Sequence, residues 1–164
     1  MIDAARVIFR EQGLSAPLSA VARRAGVGQG SLYRHFPDRV ALASAVFEEN
    51  VAELERFVEP AEVTLEGLFD RLAAQAMVSG AFIELTTANR HDPSVRHLGG
   101  RFRDVVVRLL DRERAAGHVG GHIDVEDVLL MAGMLATELA RTDVDDRERV
   151  AVRIRRLLRR ALAP

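Results

Sequence analysis

Apolar residues recur at intervals of three and four through most of the chain, and nowhere do they alternate with polar ones over a length that builds a sheet. Ile2, Ala5 and Phe9 mark one face of a first helix, which Gln12-Gly13 ends. Pro17 is placed to begin a second at Leu18, with Val21, Ala22 and Ala25 inward. Gly26 sits where the chain must reverse, Val27 drops back into the interior, and a short third helix follows around Leu32. Asp38 starts a longer fourth helix whose Leu42, Val46 and Leu54 share a face, and Pro60 closes it.

The remainder predicts five further helices. Thr64 precedes one carrying Leu65, Leu68, Phe69, Leu72 and Ala76, running to about Ser79, where Gly80 interrupts it. A short one spans Phe82 to Asn89 and ends at the loop His91-Asp92-Pro93. Ser94 caps the next, with Leu98, Phe102, Val105, Val106, Leu109 and Leu110 as a broad stripe, and Gly117 stops it. After the glycine-rich connection His118 to His122, Asp124 opens a helix with Val128, Leu129, Ala132, Leu135, Ala136 and Leu139 inward. Asp145 or Asp146 begins the last, where Val150, Ile154, Leu157, Leu158, Ala161 and Leu162 recur. The class is therefore all-α, with about nine helices.

Composition supports this. A chain of 164 residues that is 48% hydrophobic buries a sizeable core, and the absence of Trp and the single Tyr leave strands poorly supplied. No Cys means no disulfide or thiol chemistry, and no apolar run approaches a membrane span; a soluble cytoplasmic protein without cofactor or metal is the expectation. The net charge of −1 is unevenly divided. Residues 1–47 hold six Arg against Asp3, Glu11 and Asp38, a balance of +3 that leaves −4 for the rest. Basic charge concentrated on the first three helices suits a module that neutralises phosphate.

The third helix carries the chemistry. At 100° per residue, Leu32 faces the core and Gly30 and Arg34 fall on the opposite side, with Ser31 and Tyr33 flanking them and Gln29 at the tip. A small residue and a guanidinium on the outermost line, bordered by two hydroxyls, can enter a major groove and touch phosphates on either wall. The N–H groups of the next helix, capped by Asp38, together with Arg39 make a further phosphate site.

Residues 2–47 resemble the N-terminal DNA-binding domain of the TetR family of transcriptional regulators. The matching text runs from Ile2-Asp3-Ala4-Ala5-Arg6, Phe9 and Gly13 through Val21-Ala22 and Ala25-Gly26-Val27 to Gly30-Ser31-Leu32-Tyr33-Arg34-His35-Phe36-Pro37-Asp38-Arg39 and Ala41-Leu42. The resemblance implies that Ser31, Tyr33 and His35 hold phosphates, that Gln29 and Arg34 meet base edges, and that Arg39 contacts the backbone. It departs at Gly28, where many members have Ser, so the recognition helix lacks a side-chain cap. It divides the chain into a helix-turn-helix domain, residues 1–47, joined through the long fourth helix to an effector-binding and dimerisation domain, residues 48–164.

In that architecture the last two helices pair with their symmetry mates as a four-helix bundle, which places Ala132, Gly133, Leu135, Ala136, Leu139, Ile154, Leu157, Leu158 and Leu162 at a homodimer interface. The alternative is that both helices bury their stripes within one chain. By chemistry alone, Phe69, Leu72, Met77, Phe82, Phe102, Met131 and Met134 are candidates to line an apolar effector cavity, with Glu84, Thr86 and Asn89 as polar fixers.

Enzymatic readings find little support. Gly28-Gln29-Gly30 follows a helix and lacks the third glycine of a dinucleotide fingerprint, and there is no nucleophile elbow or phosphate loop. His118 and His122 are separated by Val119-Gly120-Gly121, which opposes a helical metal pair. The expectation is a homodimeric, non-enzymatic regulator, most simply a repressor, that binds a palindromic double-stranded operator and is released by a small hydrophobic effector. A ligand-binding or nucleoid-type protein of the same fold, without sequence-specific switching, is the alternative.

Overall fold

The computed structural model describes the backbone of residues 1–164 and every side chain except those of residues 77–79. Among the described residues, nine helices account for its regular structure: α1 (Ile2–Gln12), α2 (Leu18–Arg24), α3 (Gln29–His35), α4 (Arg39–Phe57), α5 (Leu65–Ala74), α6 (Ala76–Ala88), α7 (Pro93–Ala115), α8 (Val125–Arg141) and α9 (Val144–Leu162). None is long and apolar enough to cross a membrane, among the described residues.

Helix ends follow the expected chemistry in most places. The Asp38 carboxylate accepts from the Ala41 amide at 2.8 Å, and Asp124 and Asp127 form a reciprocal capping box that starts α8. Gly26 and Gly117 hold φ of 68° and 72°, the left-handed conformation a tight helix exit requires. Behind Gly26, the Val27 amide donates to the Ala22 carbonyl at 3.0 Å and that of Gly26 to Arg23 at 3.2 Å, so the turn between α2 and α3 closes on its own backbone.

Three boundaries differ from expectation. The break after α5 falls at Gln75, and Gly80 lies inside α6. A Cβ on Gly80 would sit 2.5 Å from the Ala140 methyl and 3.4 Å from the Ala136 carbonyl, so glycine there permits close passage of α6 and α8 and does not stop a helix. The α7 cap is Asp92, with Pro93 in the first turn; the Asp92 carboxylate accepts from the Ser94 and Val95 amides and from the Ser94 hydroxyl. The last helix begins at Val144, ahead of the two acids.

Two apolar clusters fill the interior, and α4 runs through both. One joins α1, α2 and Leu32 to Leu42, Val46, Phe47 and Val51 of α4, and continues into Ala81 and Leu85 of α6 and Val95 and Leu98 of α7. The other packs α5, the later part of α7, α8 and α9 around Val58. The 47/48 boundary expected between domains thus lies inside a helix shared by both clusters, and α6 and α7 reach back onto the first helices.

Arginines tie α4 to its neighbours. Arg6 of α1 pairs with Glu49, and Arg101 of α7 grips Glu55 through two bonds of 2.8 and 2.6 Å while also reaching Glu48. At the far end, Arg112 of α7 donates to the carbonyls of Val58, Pro60 and Val63 at 2.8–3.0 Å. A helix fixed at both ends and along its length is a stiff connection between the two clusters.

Candidate nucleic-acid interface and effector cavity

The third helix is locked by one side and open on the other. Leu32 is completely buried, and Val27 and Phe36 pack beside it. Gln29, Gly30, Tyr33, Arg34 and His35 are exposed, Ser31 is half-buried, and none of these side chains makes a hydrogen bond or ion pair among the described residues. Nothing lies within 4 Å of where a Cβ on Gly30 or Gly28 would be, so the outer line of the helix is clear for a groove wall to approach. Gly28 is the N-cap and contributes no side-chain bond, as the sequence predicts.

Arg39 has a different position from the one expected of a phosphate contact. Its guanidinium turns back and donates to the carbonyls of Leu14 and Ala16, fastening the loop between α1 and α2 onto α4. Arg39 is thus chiefly a tie within the module. The free cations of the first three helices are instead Arg10, Arg23, Arg24 and Arg34, which are exposed and without an acidic partner among the described residues. Arg23 and Arg24 escaped the sequence reading because a wheel drawn for α3 says nothing of α2; their place in the last turn of α2, next to the turn into α3, was the available signal.

A cavity of ≈ 40 Å³ lies between α4, α5, α6, α7 and α8. Phe47, Val51 and Leu54 supply the α4 wall, faced by Leu72, Phe82 and Phe102. The three phenylalanines stack edge to face, Phe82 lying 5.3 Å from Phe47 and 5.8 Å from Phe102 between ring centres. Of the expected lining, Leu72, Phe82 and Phe102 are here. Phe69 and Met131 are core residues elsewhere, Met134 is 52% exposed on the outer face of α8, and the Met77 side chain lies outside the described residues.

The polar fixers are also elsewhere. The Thr86 hydroxyl donates to the Phe82 and Ile83 carbonyls, Asn89 donates to Leu85, and Glu84 is exposed. In their place Asn50, Arg71 and Gln75 border the cavity. These were missed because each reads in sequence as an ordinary solvated position on an amphipathic helix.

The expected dimer residues fall into two sets. Ala132, Leu135, Ala136 and Leu139 are at most 1% exposed and pack inside this chain, and Leu158 and Leu162 are also buried. A second copy could not reach Ala132, Leu135, Ala136, Leu139 or Leu162 without opening the core, so these five pack within the chain. Gly133, Ile154, Leu157 and the edge of Leu158 instead border an open groove between α6, α8 and α9, together with Leu130 and Met134. Leu130, Met134 and Leu157 are 62%, 52% and 55% exposed, an unusual concentration of large apolar side chains facing outward. His118 and His122 turn to separate partners, Glu113 at 3.5 Å and the Ala161 carbonyl at 3.1 Å.

Comparison with known proteins identifies the first domain. Residues 1–46 match the family model of bacterial regulatory proteins, tetR family, over the whole of the helix-turn-helix just described. These residues are a TetR-type DNA-binding domain. Its relatives include the HTH-type transcriptional repressor KstR2 of Rhodococcus jostii, 24% identical over 77% of this chain and 69% of that protein. The A-factor receptor protein of Streptomyces griseus is 27% identical over 76% of this chain, which spans only 46% of that relative. Among solved structures, the TetR transcriptional regulator SCO0520 of Streptomyces coelicolor superposes with a TM-score of 0.63 at 27% identity, covering 99% of this chain and 96% of that one. The chain thus carries a TetR-type DNA-binding domain within an all-helical fold similar to that of TetR-family transcriptional regulators.

Proposed function

We propose that this chain is a regulator that binds a palindromic operator as a homodimer and acts as a repressor that a small, largely apolar effector releases. The observation that carries the reading is the state of α3: its underside is pinned by the fully buried Leu32, while Gln29, Ser31, Tyr33, Arg34 and His35 have no side-chain hydrogen bond or ion pair among the described residues. Side chains held in place yet unsatisfied are prepared for another molecule, and their types match base edges and phosphates. Residues 1–47 then form the DNA-reading module. Arg23 and Arg24 join Tyr33, Ser31 and His35 on the backbone, whereas Gln29 and Arg34 read bases.

Release follows from the route of α4. Its first turn is capped by Asp38 beside α3, and about 28 Å of helix can be spanned by its 19 residues, enough to reach the cavity walled by Phe47, Val51 and Leu54. An occupant pressing on that wall tilts a stiff lever whose other end carries α3. Two half-sites are read only when the two recognition helices match successive major grooves, so a modest tilt in each copy favours the unbound state. The A-factor receptor and KstR2, a receptor and a repressor by name, support an effector-controlled repressor as the working reading.

Unbiased selection of duplexes from a random pool tests this directly. The expected product is an inverted repeat with half-sites about one helical turn, or a multiple of it, apart. Recovery of unenriched sequence, or of single asymmetric sites, overturns the palindromic-dimer reading and favours a protein that binds DNA without sequence-specific switching.

A further inference from the structure

The arginines that bind α4 are not equally satisfied. Arg101 bonds two glutamates and Arg112 bonds three carbonyls through its Nη atoms, its Nε alone left without a partner among the described residues, but Arg71 of α5 only approaches Glu53 of α4, Nη2 to Oε2 at 3.6 Å, beyond hydrogen-bond distance. Its guanidinium lies over the Phe57 ring, 5.8 Å from the centre, and its donors meet no acceptor at hydrogen-bond distance among the described residues. Arg71 borders the apolar cavity, and so do Asn50 and Gln75, whose side-chain amides also have no hydrogen-bond partner among the described residues.

We propose that the effector carries a carboxylate on an apolar body, and that its carboxylate takes Arg71 away from Glu53 while Asn50 and Gln75 donate to it. This rests on the effector-controlled reading above and names the ligand class for the same cavity. The chemistry is direct: a guanidinium presents a planar fork of donors that matches a carboxylate through two parallel bonds, and side-chain amides add donors at the rim. The group Arg71 now faces is itself a carboxylate held too far away to bond, so the incoming head group competes like for like. Phe47, Val51, Leu54, Leu72, Phe82 and Phe102 receive the apolar body. At ≈ 40 Å³ the cavity holds at most a few waters' worth of atoms, so the body enters by spreading the three stacked rings apart. Because Glu53 is on α4 and Arg71 on α5, occupation unlinks these two helices while the Arg6 and Arg101 ties persist, which supplies the local change that the lever needs.

Calorimetric titration of the full chain with decanoate, methyl decanoate and decanol tests the assignment, repeated with R71Q and E53Q and with melting curves confirming that both variants fold. Decanoate should bind the parent tenfold or more tightly than either neutral analogue. R71Q should bring the three to parity, and E53Q should tighten decanoate severalfold without moving the ester. Equal binding of acid and ester by the parent, no binding of any of the three, or a preference that survives R71Q overturns the proposal. A gel shift with selected DNA separates the two readings: decanoate that discriminates through Arg71 yet leaves the DNA bound contradicts effector release and leaves the carboxylate site standing.

Discussion

Gly80 and Ala140 meet where α6 crosses α8, leaving no room for a methyl group on the glycine: an ideal Cβ there lies 2.5 Å from that of Ala140. Overpacking of this kind costs about 1–3 kcal/mol, against which Gly→Ala in a helix returns about 1 kcal/mol of propensity. Gly80→Ala should therefore lower stability by up to about 2 kcal/mol in urea unfolding. Adding Ala140→Gly restores the gap, and the double-mutant cycle should give a favourable coupling of about 1 kcal/mol or more. Additive effects would mean that the two positions do not limit how closely these helices approach.

This contact also marks the limit of what the chain discloses by itself. The helix-turn-helix was legible because every local signal agreed: period 3.6 around Leu32, a reversal at Gly26 and a cap at Asp38. Gly80 reads as a breaker in isolation, and only the partner helix, sixty residues away, reveals it as a packing site. Ala132 and Ala136 suffer the same ambiguity, since a stripe of small residues fits a close approach of either an intramolecular or an intermolecular helix. Arginine is harder still. Arg39, Arg71 and Arg101 are all polar positions in the pattern, and which one ties a loop, borders a cavity or clamps two helices depends on acceptors distant in sequence.

The Arg101 clamp predicts a pH dependence. Its two hydrogen bonds hold the Glu55 carboxyl below the ordinary glutamate value of 4.5, and the guanidinium's charge adds to the effect. A depressed folded-state value means that the unfolded chain binds the proton first, so the stabilisation is fully present above 4.5 and is lost as pH falls through the depressed value. With both side chains less than a third exposed, Glu55→Gln should cost about 1 kcal/mol at neutral pH. The gap between parent and variant should close in acid. A gap that stays constant with pH would assign the loss to packing.

Ser44 is buried in α4 at 7% exposure, and its hydroxyl has no hydrogen-bond partner among the described residues. An unsatisfied buried hydroxyl carries a desolvation cost of about 1–3 kcal/mol, and alanine is the better helix former. Ser44→Ala should raise the denaturation midpoint by an amount worth about 1 kcal/mol. A lower midpoint would show that the hydroxyl finds an acceptor in solution.

Three substitutions in the DNA module should fail in three ways. Tyr33→Phe removes a phosphate hydrogen bond and weakens operator and scrambled duplex about equally, whereas Arg34→Ala should lose discrimination of about 1–3 kcal/mol if its fork meets a guanine. Both residues are exposed and unbonded within the chain, so neither change should move the melting temperature. Arg39→Ala differs because the side chain binds the Leu14 and Ala16 carbonyls, and melting should fall along with DNA binding. Titration against both duplexes, with a melt for each variant, separates these outcomes; equal losses on both duplexes would reduce Arg34 to a backbone contact.

Assembly is the most demanding prediction, because one recognition helix of seven residues covers only a few base pairs and a module of charge +3 attracts DNA weakly. Joining two modules makes the second contact intramolecular and raises avidity by orders of magnitude when the spacing fits. The face available for that joint is the groove of α8 and α9, where Leu130, Met134 and Leu157 stand more than half exposed around Gly133. Met134→Arg places a charge in the middle of this face without disturbing the chain's own core. Sedimentation should show a monomer, circular dichroism should remain helical, and operator affinity should fall to the non-specific level. Ala136→Arg provides the contrast: at 1% exposure, with its carbonyl against Gly80, that position has no space for a guanidinium, and the expected result is loss of the fold. If Met134→Arg remains dimeric and binds operator undiminished, the two copies meet through another surface, and the open groove of α8 and α9 needs a different explanation.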